Sequence, residues 1–437
     1  MIILTTGLLK NFILLLSLLF CINYSSFAQD VVSTTKTTEG WYLMVDGEPL
    51  IVNGINWDYY PVGTNYEYVL WEQSPDFIKQ ALDHEMGFLQ DAGVNAIRVY
   101  AGIPKEWITY IYKKFGIYTM LNHTFGRYGM EVEGEWIPNT DYGDERVKKL
   151  LLDEVRALVG EFKDTEGLLL YLLGNENNYG LFWEGAETED IPVDEWRSAK
   201  RARPMYELFN EAILEIKAVD KNRPVAFCNG DDLFLDQIAE EVPDADIFGV
   251  NAYRGSSFTD LFDHIAAEYD KPVLLTEFGA DAFNEIKKEE DQKSQAEFVL
   301  ANWKEVYANA TGMGGHGNLI GGFTFQFSDG WWKYGQTWNL DIHDTHASWS
   351  NGGYAFDYTE GVNNMNEEWF GVMGKGITKE DGTMPLYPRA AYYVLKEIHR
   401  FNPYADSVTA ADLNTHFNSI SIEVAAEQAA SFTSSNQ

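Results

Sequence analysis

An α/β fold, a single-domain (β/α)8 TIM barrel with a long loop after its eighth strand, is what this sequence predicts, and three observations predict it. From Trp41 onward, short β-branched or aromatic runs alternate with helical patterns, each run closing in a polar or glycine cluster. Eight such runs occur, and their alternation with helices implies a parallel sheet. The length of 437 residues suits one barrel with loop insertions.

The elements follow in order. Lys10 precedes an apolar run over 12–22, and Ser26-Phe27-Ala28 offers the small residues that a signal peptidase reads, so 1–28 is expected to be a cleaved secretory signal. The apolar run is short of the ~20 residues of a bilayer span, so the mature protein is expected to be secreted or periplasmic, with no membrane insertion. Cleavage removes Cys21 and leaves Cys228 alone, which excludes an internal disulfide.

Asp46-Gly47-Glu48-Pro49 reads as a hairpin turn, pairing 41–45 with the start of strand one as a floor under the barrel. The strands are expected over 50–57, 95–100, 118–122, 168–176, 224–229, 246–253, 272–278 and 321–327. Amphipathic helices are expected over 76–92, 105–115, 145–162, 204–219, 292–308 and 389–401. The stretch 329–388 is far longer than an ordinary βα loop and dense in Trp, Asn, Gly and Asp, which marks it as functional. The domain is thus expected to run over 40–404. Beyond it, 405–437 is rich in Ser, Thr and Ala without a clear period and reads as a tail or linker stub.

Composition narrows the partners. With 32 Lys+Arg against 67 Asp+Glu, the formal charge of -35 repels phosphate backbones and anionic headgroups, so nucleic acid is excluded as a partner and a neutral substrate is expected. Aromatic residues make up 15%, more than a core requires, which points to rings on a binding surface.

Barrel active sites lie at the C-terminal ends of the strands. Two carboxylates fall there: Glu176 in Gly174-Asn175-Glu176-Asn177 after strand four, and Glu277 in Thr276-Glu277-Phe278-Gly279 on strand seven. A glutamate closing an apolar parallel strand is kept there by partners or by function. Paired carboxyls suit glycosidic cleavage, in which one protonates the leaving oxygen and the other attacks or stabilises the developing oxocarbenium carbon. Separated by ~5 Å, they would act with retention, Glu277 as nucleophile and Glu176 as acid/base.

These motifs resemble those of the clan A glycoside hydrolases, with Asn-Glu ending strand four and a glutamate on strand seven, and the resemblance covers about 40–404. Gly54-Ile55-Asn56-Trp57 and Gly93-Val94-Asn95-Ala96-Ile97-Arg98 look like the opening of a family 2 catalytic barrel. The run Phe325-Gln326-Phe327-Ser328-Asp329-Gly330-Trp331-Trp332-Lys333 is similar to the strand-eight signature of the family 17 β-1,3-glucanases, with Gly330 where an acidic residue is common. Strands six and seven also resemble the family 72 β-1,3-glucanosyltransferases. The resemblance implies that Asn175 binds the sugar 2-hydroxyl, that Arg98 steadies the nucleophile, and that Tyr253 donates to Glu277.

Asn56 is grouped with the substrate-binding residues. Trp57, Trp331 and Trp332 fall at strand ends and are expected to offer indole platforms for pyranose rings. His123 closes strand three and is placed as a sugar ligand or a satisfied rim histidine. The cluster Asp341-Ile342-His343-Asp344-Thr345-His346 lacks any familiar metal spacing and reads as a solvated loop, so no metal and no cofactor is expected.

The expectation is therefore a secreted retaining β-glycosidase that hydrolyses or transglycosylates a polysaccharide or oligosaccharide, a neutral β-linked glucan and foremost a β-1,3-glucan. An exo-β-galactosidase, a β-mannosidase or an endo-mannanase of the same clan is the alternative. A noncatalytic glycan-binding barrel is the alternative of another class.

Overall fold

A computed structural model of the chain describes residues 30–100, 102–181 and 197–436; the expected signal over 1–28 lies outside the described residues. Eight strands, Val52–Asn56, Ala96–Val99, Tyr118–His123, Leu168–Leu173, Val225–Gly230, Ile247–Asn251, Val273–Phe278 and Leu319–Thr324, pair in parallel and close into a barrel in chain order. Strand eight closes on strand one through Gly322 with Asn53 and Thr324 with Ile55. Leu168–Leu173 reads LLLYLL and is buried along its whole length, as a parallel strand covered on both faces must be.

Alternation along each strand divides the apolar residues into two groups. Val52, Ala96, Met120, Leu172 and Leu274 fill the barrel interior, while Ile55, Ile97, Leu121, Phe248 and Leu275 pack outward against the helices. Below the barrel, Val32–Lys36, Trp41–Val45 and Glu48–Leu50 form an antiparallel sheet whose Val32 and Leu43 join the interior cluster as its floor. The expected hairpin is present, with its second strand separated from barrel strand one at Ile51.

Helices follow the strands: Pro75–Asp91, Lys105–Phe115, Glu145–Phe162, Arg197–Val219, Leu235–Glu241, Leu261–Glu268, Gln292–Ala308 and Ala390–Ile398. Their starts are written in the sequence. Ser74 accepts from the Phe77 N–H with Pro75 in the first turn, and Asp144 and Asp291 accept from Arg146 and Ser294. The helices after strands five and six escape the sequence reading because two turns hold too little apolar periodicity to register.

The long loop is not structureless. Met373–Lys375 pairs with Leu386–Pro388, and a buried bidentate pair, Arg389 Nη1 and Nη2 to Asp329 at 2.6 and 2.7 Å, ties its two ends together.

The tail reading needs correction. Within 405–437, the segments Ala410–Ser419 and Ile422–Asn436 are helices, and Leu413, Phe417 and Ala425 are buried in the main core. Thr409 and Asp412 form a reciprocal capping box that starts the first of them. Ser and Thr made this segment look like a linker, yet its sparse apolar residues fall on one face. Among the described residues, no helix is long and apolar enough to cross a membrane.

Candidate active site

The inner face of the barrel turns polar at its C-terminal end. Asn56, Arg98, Asn122, Asn251 and Thr276 are inward residues of their strands, and all are buried. Arg98 sits at the centre of this layer with no side-chain exposure. Its Nε and Nη2 donate to Asn122 Oδ1, Nη2 also to Asn175 Oδ1 at 2.7 Å, and Nη1 to Glu277 Oε1 at 2.9 Å. A buried guanidinium of this kind needs its donors met, and this one meets them with acceptors from four other strands or strand ends.

Glu277 reaches this layer through a local irregularity. The pairing of strands six and seven steps from Val250 with Leu275 to Asn251 with Glu277, a bulge at Thr276 that brings two successive side chains to the interior. The carboxylate then accepts three hydrogen bonds: Arg98 and Tyr100 on Oε1, the latter at 2.5 Å, and Tyr253 on Oε2 at 3.0 Å. Asn56 Nδ2 donates to the Tyr100 oxygen at 3.0 Å, so strand one orients that phenol. Both phenols lie well above the usual tyrosine range, chiefly through burial, and so remain protonated donors.

Glu176 is placed by backbone geometry. After strand four the chain passes through Gly174 at φ +79, where a Cβ would meet Asn177 Oδ1 at 2.6 Å and the Phe209 ring at 2.8 Å. Glu176 itself is left-handed, φ 56 and ψ 39, an uncommon conformation for a non-glycine residue, and its N–H is held by the Cys228 carbonyl at 3.2 Å. Asn251 bridges the two motifs: its amide hydrogen-bonds Glu176 and donates to Asn175 Oδ1 at 3.1 Å, and its Oδ1 accepts from the Thr276 hydroxyl at 2.7 Å. Burial first and the charge of Glu277 second push the Glu176 carboxyl up to about 7. The two carboxyls therefore share one polar layer but differ in environment, one gripped by three donors and the other desolvated beside its charge.

The remaining sequence-predicted residues divide. Asn175 is buried and donates to the Tyr128 phenol at 2.8 Å, beside Glu176. Trp331 and Trp332 stand half-buried at the strand-eight mouth, Trp331 stacked on His343 at 4.8 Å and Trp332 edge-on to Tyr60 and Tyr66.

Trp57 and His123 correct the expectation of sugar contacts. Trp57 is 2% exposed and donates to Glu85 on the helix Pro75–Asp91 at 2.7 Å. His123 accepts from the Phe125 N–H and faces Glu154 at 3.4 Å on the helix Glu145–Phe162. Each follows an inward residue, Asn56 and Asn122, so strand periodicity turns it outward.

The same periodicity reveals residues that the sequence reading missed. Tyr100 lies two positions after Arg98 and Asn122 two after Met120, so counting by twos along strands two and three reaches both. Among the described residues, no cluster of three or more His, Cys, Asp or Glu could hold a metal ion. In the loop cluster, His343 is stacked between Trp331 and Trp369, and His346 stacks on Tyr334.

No protein-family model matches the chain, and no curated sequence relative matches it. Solved structures do. A GH2 β-galacturonidase from Eisenbergiella tayi bound to galacturonate is similar at TM-score 0.54 and 16% identity, over 86% of this chain and 55% of that one. The Bacteroides uniformis β-glucuronidase is similar at TM-score 0.55 and 12% identity, over 84% and 37%. ScGas2 in complex with compound 8 is similar at TM-score 0.51 and 16% identity, over 89% and 72%. The chain thus spans about half the length of the galacturonidase or less of such relatives, and identities this low show a shared barrel fold.

Proposed function

We propose that this protein is a retaining β-glycosidase. The observation that carries the reading is the contrast between two carboxyls at one polar layer: Glu277 accepts from Arg98, Tyr100 and Tyr253, whereas Glu176 is raised to about 7 by desolvation and by the charge of Glu277. A carboxylate held by three donors is oriented for attack, and a carboxyl that keeps its proton near neutrality can deliver it.

In the first step Glu277 attacks the anomeric carbon while the Glu176 proton moves to the glycosidic oxygen, which leaves with the bonding pair. The covalent intermediate removes the charge of Glu277, so Glu176 becomes a stronger acid and stays ionised. It then takes a proton from water or from an acceptor sugar hydroxyl, whose oxygen displaces Glu277. Arg98, Tyr100 and Tyr253 hold the nucleophile in one rotamer and receive its charge again when it departs.

For the substrate we propose a β-linked glucan, with β-1,3 linkage favoured by the strand-eight resemblance. Incubation with purified β-glucans, mannans and galactans, with the anomeric form of the products followed by NMR, tests the reading. Retained configuration on a β-glucan is expected, and inverted products or no turnover would remove it. Export belongs to the same proposal: protein recovered from the periplasm or medium is expected to begin just after Ala28, as N-terminal sequencing would reveal.

A further inference from the structure

Across the Phe325 ring from Tyr253 stands a cation that, among the described residues, has no carboxylate within ion-pair distance. Lys333 folds back over strand eight, with Nζ 4.6 Å from the centroid of Phe325 and 5.3 Å from that of Trp332, and among the described residues it forms no ion pair. Phe325 packs edge-on against Tyr253 at 6.3 Å, and Tyr253 donates to Glu277. The ammonium is therefore one aromatic ring removed from the atoms that hold the nucleophile.

Glycine at 330 lets the lysine stem lie close against the backbone. A Cβ there would stand 2.8 Å from Lys333 Cγ and 3.2 Å from Gln326 Nε2, so the lysine stem and the glutamine amide meet over the same residue. Gln326 is 2% exposed, yet its Nε2 has no protein acceptor, and neither does the buried Nε1 of Trp332. Buried donors are seldom left unmet. Gln326 Nε2 and the Lys333 stem lie side by side at Gly330, and unmet donors beside an ammonium are what an anion satisfies.

The charge balance agrees. Asp58, at the end of strand one, lies in the field of both Lys333 and Lys375. Glu85, which also lies in the field of Lys375, is pushed up to about 8 by burial and is mostly uncharged at neutral pH. Two lysines thus face one aspartate whose carboxyl is raised by burial, in a chain of net charge -35. The net charge that predicts a neutral substrate governs encounter at long range, whereas contacts within a few ångströms govern what the pocket holds.

We infer that Lys333, with Gln326 and Trp332 beside it, binds an anionic substituent, a carboxylate or a sulfate ester, on the glycan held at the Glu176 and Glu277 site. The inference rests on the β-glycosidase reading for its location and adds an acidic substituent to the β-linked glycan of that reading.

The test compares kcat/KM for 4-nitrophenyl β-glucoside, 4-nitrophenyl β-glucuronide and 6-sulfated 4-nitrophenyl β-glucoside in the wild type, Lys333→Met and Gly330→Asp. The second variant supplies an internal carboxylate to the same ammonium. One anionic substrate is expected to exceed the neutral one by about tenfold or more, the size of a charge-assisted contact, and whichever does so identifies the group. Both variants should bring the ratio near unity, and Lys333→Arg should preserve it. A wild-type preference for the neutral glycoside, or a ratio unmoved in Lys333→Met, would overturn the inference.

Calorimetric titration with glucuronate, glucose 6-sulfate and glucose separates the two ideas. Anion-selective binding that Lys333→Met abolishes, without turnover of any glycoside, would sustain this inference and remove the glycosidase. Turnover of the neutral glycoside without charge preference would do the reverse.

Discussion

Tyr100 donates its phenol at 2.5 Å to Oε1 of Glu277, the same oxygen that Arg98 holds at 2.9 Å. The phenol is itself fixed by Asn56. A hydrogen bond to a charged acceptor contributes about 1.5–3 kcal/mol, so Tyr100→Phe should lower kcat/KM by roughly ten- to a hundredfold. The ring is retained, so the far-ultraviolet circular dichroism should not change. A variant with the wild-type rate would show that Arg98 and Tyr253 suffice to hold the nucleophile.

Glu176 sets the alkaline limb of the pH profile. A general acid must carry its proton, and this carboxyl loses it near pH 7, so kcat/KM on unactivated glycosides should fall as pH rises through about 7. Glu176→Ala should abolish that limb. It should also slow natural glycans far more than aryl glycosides with good leaving groups, which need little proton assistance. Equal losses on both substrates would take the acid role from Glu176.

Much of this site was legible because each strand obeys a period of two. Gly174-Asn175-Glu176 and Thr276-Glu277 stand where barrel strands end, and Arg98 lies two residues before Tyr100 on one inward face. What strand periodicity does not encode are departures from regular pairing. The bulge at Thr276 turns Glu277 inward next to an already inward residue, and the left-handed Glu176 depends on how Gly174 packs against Phe209. Trp57 shows the opposite error: its position suggested a sugar platform, but the inward Asn56 before it commits the indole to the helix side. The short helices after strands five and six were hidden because seven or eight residues carry too weak a pattern.

Trp57→Phe should therefore act on stability and leave KM unchanged. The indole donates to Glu85, a carboxyl 1% exposed and raised to about 8 chiefly by burial. Removing that donor from a buried group should cost about 1–3 kcal/mol. A carboxyl whose folded value lies above its unfolded one favours the fold fully below the unfolded value, and that contribution is lost as pH rises through about 8. The variant, lacking a donor that helps the ionised form, should melt furthest below the wild type near pH 9 and closest to it near pH 6. Thermal melts across that range, beside KM for an aryl glycoside, check both halves.

Deletion of 409–437 should likewise lower stability without touching the chemistry. The two terminal helices bury Leu413, Phe417 and Ala425 in the main core, and Phe432 meets Phe88 edge-on at 6.4 Å. Each large apolar side chain withdrawn from water contributes about 1.5–3 kcal/mol, so a protein lacking these helices should lose several kcal/mol and melt at a lower temperature. Among the described residues, Arg98, Tyr100 and Glu277 take their hydrogen bonds and ion pair from one another and from other barrel residues, so kcat per folded molecule at 25 °C should match the full chain. An unchanged melting temperature would mean that this segment is the dispensable tail its composition suggests.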